Sequence, residues 1–261
     1  MPDPRELIKE VERNVILPKS SWERFSGYGI MGLSFSSGHI LGLRCFPASS
    51  LGMPYRSVWH RDAKGNWVFY QNAPPEKSCP RYFGNAILKI QQVSQISINW
   101  SGAYDLSVSI EDDVRLEWKV TLSSTHSTRL MNFIAGMIPS SLWQKPGLLN
   151  VMGVAASLML GAGHLGLNGK VPNGQRFIAN PRRIWIVKSS AANINGLDLG
   201  PAGRLRNQAR LQDFWIPQQG IFAIGDSMFE PYDPAIHSPR YFSKQPVSNP
   251  PRQFIHLSNG Q

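Results

Sequence analysis

Acidic residues are scarce in this sequence: 17 Asp and Glu stand against 27 Lys and Arg, a formal net charge of +10 over 261 residues. Such a balance gives a general attraction to anions. The excess is concentrated, with eight Lys/Arg between Lys170 and Arg210 against a single acid, Asp198. That stretch suits an anionic membrane surface or an acidic ligand. No nucleic-acid partner is expected, because no Lys/Arg run and no nucleic-acid module occurs. Cysteine is scarcer still. Cys45 and Cys79 are the whole complement, which excludes a disulfide framework, a zinc spacing and a CxxC motif. Long hydrophobic runs are also missing: the longest, Leu148–Ala162, contains Asn150 and is too short to span a bilayer. The charged N-terminus, MPDPRELIKEVER, has no apolar h-region and does not read as a secretory signal. A cytoplasmic protein with reduced thiols is the expectation. GxSxG, HExxH, P-loop and strand-to-helix GxGxxG signatures are absent. No metal site and no cofactor is expected.

What is present points to strands. Charged residues make up only 17%, Gly (23) and Pro (20) are plentiful, and eight Trp, twelve Phe and seven Tyr need burial. Residues 1–18 read as an N-terminal helix, with Leu7, Ile8, Val11 and Val15 on one stripe and Pro18 as its stop. Residues 19–127 read as a first β half. Ile30–Phe35 and Ile40–Phe46 flank Ser36-Ser37-Gly38, and Tyr55–Arg61 and Asn66–Gln71 flank Asp62–Gly65. In the arm Tyr55–Arg61, Tyr55, Ser57, Trp59 and Arg61 share one face; Arg56, Val58 and His60 share the other. Residues 128–161 lose the two-residue period and read as a helical insert rich in Met, more simply core filler than a ligand site. Residues 162–232 read as a second β half, through His164–Leu167, Arg176–Ala179, Arg183–Lys188, Phe214–Ile216 and Gly220–Ile224. Residues 233–261 read as an extended C-terminal tail. Gly38-His39-Ile40-Leu41-Gly42-Leu43 is echoed by Gly163-His164-Leu165-Gly166-Leu167, as a duplicated barrel would require.

Candidate functional residues follow from aromatic and polar clustering. Trp100, Trp118, Trp185 and Trp215 recur near strand centres, Trp59 lies in the segment that enters the strongest hairpin, and Arg81 and Tyr82 lie beyond its second arm. These tryptophans either fill the interior or line a cavity for an apolar ligand. Asp213, within Leu211-Gln212-Asp213-Phe214-Trp215, is the acid expected to be drawn inside, where apolar neighbours would raise its pKa. A salt bridge to a nearby arginine is the equal alternative. His60 is the matching histidine, set between Trp59 and Arg61. With Asp213 it is the expected proton-moving pair. Cys79 has no His or Asn partner in sequence and is not read as a nucleophile.

The segment GHLGLNGKVPNGQRFIANPRRIW, Gly163–Trp185, resembles the second-half strands of lipocalin-like (calycin) two-barrel bacterial proteins, the group that includes the carotenoid 1,2-hydratases. Ile98–Leu122, with Trp100-Ser101-Gly102, adds to the likeness. Arg183 and Trp185 are the positions matched, while the group's Arg-Asp-x-Ser-Trp-Gly run is replaced here by Asn180-Pro181-Arg182-Arg183-Ile184-Trp185. The resemblance implies a hydrophobic, terpenoid-like ligand and lyase or cyclase chemistry.

The fold expected is therefore mainly β: an antiparallel lipocalin-like barrel, open to duplication, with a helical insert and a short N-terminal helix. Three functions fit it. One is an enzyme of lyase or isomerase type, moving a proton on a terpenoid- or polyketide-like molecule in an aromatic cavity by hydration, cyclisation or isomerisation. Another is a non-catalytic lipid or pigment carrier. The third is an interaction module with a basic face for anionic partners.

Overall fold

The computed structural model describes residues 3–139 and 142–237. Most of the expected C-terminal tail, 238–261, lies outside the described residues. Helix α1, Pro4–Asn14, begins where expected: the Asp3 side chain accepts from the Arg5 backbone N–H at 2.8 Å, and Pro4 takes the first turn. Its Ile8 is buried, and Leu7 and Val11 pack on the core.

Strands β1 (Glu23–Ser34), β2 (Ile40–Ser49), β3 (Tyr55–Arg61), β4 (Trp67–Gln71) and β5 (Lys89–Gln92) follow in order. A short helix, α2 (Pro80–Phe83), precedes β5. Then come β6 (Ser97–Trp100), β7 (Asp105–Glu111) and β8 (Arg115–Ser123), followed by helices α3 (His126–Met137) and α4 (Pro146–Leu160). The chain returns through β9 (Asn168–Lys170), the 19-residue β10 (Arg176–Ile194), β11 (Leu197–Asp198), the two-stranded ribbon β12 (Arg210–Leu211) and β13 (Phe214–Trp215), and β14 (Ile221–Phe229).

All but β12 and β13 join one 12-stranded sheet, whose main path runs β5-β4-β3-β2-β1-β14-β10-β8-β7-β6. Mostly antiparallel, it carries a parallel pair, β4 with β5, and curls into a half-barrel. The mainly β character and the helical insert are as expected. The lipocalin meander is not: β14, the last strand, inserts between β1 and β10 and ties the two sequence halves into one sheet. The internal echo has no structural counterpart. Ile40–Leu43 lies in β2, whereas His164–Leu167 forms no strand.

β10 also departs from expectation, since it runs unbroken through Pro181. The pairing with β14 shifts there, Pro181 opposing Gly225 and Arg183 opposing Ile224, so Arg182 is an extra residue. A bulge is where a central strand tolerates a proline, which has no N–H to give.

The strand alternation builds two aromatic regions. One face of the sheet encloses Trp118, Trp185, Phe222, Tyr28, Leu43 and Val58, closed by Val93 and Ile96 on the β5–β6 connection. The opposite face of β1–β4 carries Phe25, Phe46, Tyr55, Trp59 and Phe69, covered by Cys79, Tyr82 and Phe83 near α2 and by Leu211 and Ile216. Helices α3 and α4 cover β10 and β14 on that outer side, around Ile178, Ile184, Ile221 and Ala223. Cys45 and Cys79 are both free thiols and buried.

Candidate functional site: a cleft with a buried arginine

Between the sheet and its helical cover lies a cleft of about 140 Å³. Its floor is bare backbone. Gly27 of β1 faces Gly225 of β14, and each sits beside a bulge, next to Pro47 and Pro181 respectively. A Cβ on Gly27 would overlap the Cys45 carbonyl, and one on Gly225 the Asn180 carbonyl. Glycine is required for strands this close. The roof is Met131, Ala135, Met152, Ala156 and Leu160 of α3 and α4, with Leu165 and Leu167 beyond them. The far end is aromatic: Phe46, Trp59, Tyr82, Phe83, Phe214 and Phe229. Unbranched methionines at the roof give walls that adapt to shape.

One cation lines this apolar space. Arg44, on β2, is only 4% exposed. Its position follows from a bulge: Ile30 opposes Leu43 and Leu33 opposes Leu41, so β1 carries one extra residue there. Arg44 uses the disrupted ladder. Nη1 donates to the Ile30 carbonyl at 2.6 Å and the Leu43 carbonyl at 2.8 Å, and Nη2 to the Met31 carbonyl at 3.1 Å. The guanidinium lies 4.3 Å over the Trp59 ring and 5.8 Å from that of Phe214. Among the described residues, no carboxylate stands within ion-pair distance of it. Burial lowers its pKa to about 10, partly offset by the neighbouring Cys79 and Tyr55, so it remains a cation at neutral pH. Cys79 and Tyr55 contact one another at 3.3 Å, and burial pushes both groups' pKa upward, keeping them neutral.

A second polar group borders the cleft where β10 and β14 pair. Asp226 is 4% exposed and opposes Asn180. Arg182, the bulged residue, reaches Asp226 Oδ2 at 2.6 Å, but neither that oxygen nor Asn180 Oδ1 has a hydrogen bond of good geometry among the described residues. Asn180 Oδ1 has neither a hydrogen bond nor an ion pair among the described residues, whereas Asp226 Oδ2 is held by the Arg182 guanidinium.

The residues expected from sequence are dispersed. Trp59 and Tyr82 line the cleft. Trp100, Trp118 and Trp185 belong to the opposite face, packed in or against the filled core, with Trp118 Nε1 donating to Ser190 Oγ at 2.9 Å. Trp215 is half-buried, edge-on to His164 and under Arg210. Arg81 is engaged by Glu23 at 2.6 Å, while the Tyr82 hydroxyl donates to the same carboxylate at 2.6 Å. That clamp fastens α2 to the start of β1 and holds the Glu23 carboxyl below its usual pKa, against the cost of burial. Arg183 sits at the edge of the roof, Nη1 donating to the Asn132 carbonyl of α3 at 3.0 Å.

The expected pair is not formed. Asp213 is exposed in the turn between β12 and β13, accepting from the Lys170 N–H at 2.9 Å rather than pairing with an arginine. His60 faces away from Trp59, as strand alternation dictates, and stacks on His39 with Nε2 2.9 Å from His39 Nδ1. Burial, then the neighbouring imidazole, lowers its pKa to about 4, so it is neutral at pH 7. The groups that sequence reasoning missed, Arg44 and Asp226, shared a readable signal. Each is a lone charge inside an apolar strand, Ile40-Leu41-Gly42-Leu43-Arg44-Cys45-Phe46 and Ile221-Phe222-Ala223-Ile224-Gly225-Asp226.

No family model matches the chain, and a search of curated proteins finds no match. Among solved structures, an acetoacetate decarboxylase from Legionella pneumophila subsp. pneumophila aligns over 83% of this chain and 87% of its own, at 10% identity and a TM-score of 0.38. A likeness that weak assigns neither a family nor an activity. No helix among the described residues is long and apolar enough to cross a membrane.

Proposed function

We propose that the chain binds a small apolar acid, a monocarboxylate with a compact hydrophobic body, with its carboxylate at Arg44. The observation that supports this reading is the buried guanidinium without a carboxylate partner in an otherwise apolar cleft. An isolated buried charge is costly, and a ligand anion would offset that cost through charge-assisted hydrogen bonds. A volume of about 140 Å³ matches a body the size of one aromatic ring. A terpenoid or polyketide skeleton would require the methionine-lined roof to lift.

The test is a binding series read by quenching of tryptophan fluorescence, since Trp59 lies under the arginine. Phenylacetate should bind at least about thirtyfold more tightly than phenethyl alcohol, as loss of one partner of a buried charge pair removes about 2–5 kcal/mol. Arg44→Met should erase that preference while leaving the alcohol bound. Equal binding of acid and alcohol to the unaltered protein would refute the reading.

A second reading, proton-transfer chemistry by hydration, cyclisation or isomerisation, is supported by Asp226. A buried carboxylate bordering the cleft is the group such chemistry needs. On that reading Asp226→Asn abolishes turnover of a bound acid and leaves its affinity unchanged. If no bound acid is turned over by the unaltered protein, the chain is a carrier.

A further inference from the structure

We infer that α3 and α4 dock the protein on a lipid bilayer with anionic headgroups. Helical residues of a covered sheet ordinarily turn their apolar side inward, and here Met131, Met152 and Leu160 do so. The outward side of the same pair is apolar as well. Phe133 is 65% exposed, Leu158 79%, and Leu130, Ile134, Met137 and Val154 are exposed with them. Neither helix carries Asp or Glu; α4 carries no charged residue at all. Exposed apolar surface of this kind, on two helices that contact one another, marks an interaction site rather than scatter.

The charges around the face identify the occupant. No acid occurs in the sequence between Glu117 and Asp198, and of the cations in that interval Arg176 and Arg182 are ion-paired to Glu230 and Asp226. Four cations frame the helix pair. Arg129 lies in the first turns of α3, and Lys145 caps α4. Arg183 lies beside Gly136 and bonds α3, and Arg204 bonds the Gly161 carbonyl at the end of α4. On the α1 side the face ends at Glu10, across a groove from Gly136 and Arg183. An apolar centre ringed by cations complements an acidic bilayer, where side chains enter the acyl boundary and cations meet the headgroups. A second copy of the chain would bring the same cations face to face, which disfavours a symmetric dimer here. The inference stands on this outer face alone and does not depend on what the cleft holds.

The experiment is co-sedimentation of the full chain with phosphatidylcholine vesicles, with and without about one-third phosphatidylglycerol. Binding should require the anionic lipid and fall with added salt. Arg129→Glu with Lys145→Glu should weaken it by at least about tenfold, since each basic residue near the surface contributes appreciably. Phe133→Ser with Leu158→Ser should weaken it comparably. Because all four side chains are exposed, melting temperature should stay close to that of the unaltered protein, a check that separates lost docking from lost folding. Equal binding to neutral vesicles overturns the inference, as does anionic binding that survives Phe133→Ser with Leu158→Ser. A dimer in sedimentation equilibrium that this same apolar pair of changes dissolves would assign the face to a second copy instead.

Discussion

The two aromatic regions on opposite faces of the sheet are built from similar residues and do different things. Inside the curl, Trp118 and Trp185 are fully buried in one apolar cluster and neither lines the cleft. On the outer face, Trp59 and Tyr82 are equally buried, yet they border open space and a cation. The difference comes from the backbone. The inner face is crossed by regular alternation of Leu106, Val108, Ile110 with Leu116, Trp118, Val120. The outer face meets bulges beside Gly27, Gly225 and Met31, which remove side-chain volume and free carbonyls for Arg44. Tryptophan content therefore marks burial, and the bulges beside Gly27 and Gly225 mark the cleft.

The largest expected effect tests the inner region as solid core. Trp118→Ala should destabilise the protein by about 3–5 kcal/mol, the range for deleting a buried aromatic side chain. Chemical denaturation would measure it, and a loss under about 1 kcal/mol would mean that the interior tolerates a void and is itself a candidate pocket. Arg44→Met should cost less, because relief of an unpaired buried charge offsets the loss of donors to three carbonyls.

The next effect concerns the boundary between the two faces, where consecutive residues Trp59 and His60 diverge. A histidine whose folded pKa lies near 4, against an ordinary 6.5, resists protonation in the native state. Its contribution is fully present above pH 6.5 and is lost as pH falls toward 4. The unfolded chain takes up the proton first. The full shift corresponds to up to about 3 kcal/mol. His60→Gln should flatten the stability profile across that window while leaving cleft affinity at pH 7 unchanged. A change in ligand affinity without a change in the pH profile would return His60 to the cleft.

Strand positions were legible in the sequence because alternation and turn chemistry are local. Tyr55–Arg61 is β3 residue for residue, and Asp62–Gly65 is its turn. Arg176–Ala179 and Arg183–Lys188 read as separate segments, whereas they belong to one strand, β10, in which a bulge absorbs Pro181. Strand order was not legible: nothing local tells β14 to insert between β1 and β10, and that insertion is what brings Gly225 against Gly27. The face-sharing of Tyr55, Ser57 and Trp59 did place Trp59 apart from His60, but which face held a cleft depended on the bulges. Asp213 misled because apolar neighbours in sequence, Leu211, Phe214 and Ile216, turn inward from a two-residue turn whose own side chains point to water.

The smallest expected effect follows from that last point and is the sharpest check on where the site lies. Asp213 sits in the left-handed turn set by Gln212, at φ 60°, and its Oδ2 accepts from the Lys170 N–H. An asparagine keeps an acceptor oxygen of the same reach, so Asp213→Asn preserves that bond and removes only an exposed charge. Surface changes of this kind stay within about 0.5 kcal/mol. Binding of phenylacetate should likewise be unaltered, because the side chain contributes nothing to the walls of the cleft. Calorimetric titration of the variant beside Arg44→Met would compare the two directly. A loss of affinity in Asp213→Asn equal to that in Arg44→Met would mean that the β12–β13 turn folds over the cleft when ligand binds, and would move the site from the sheet to the loop.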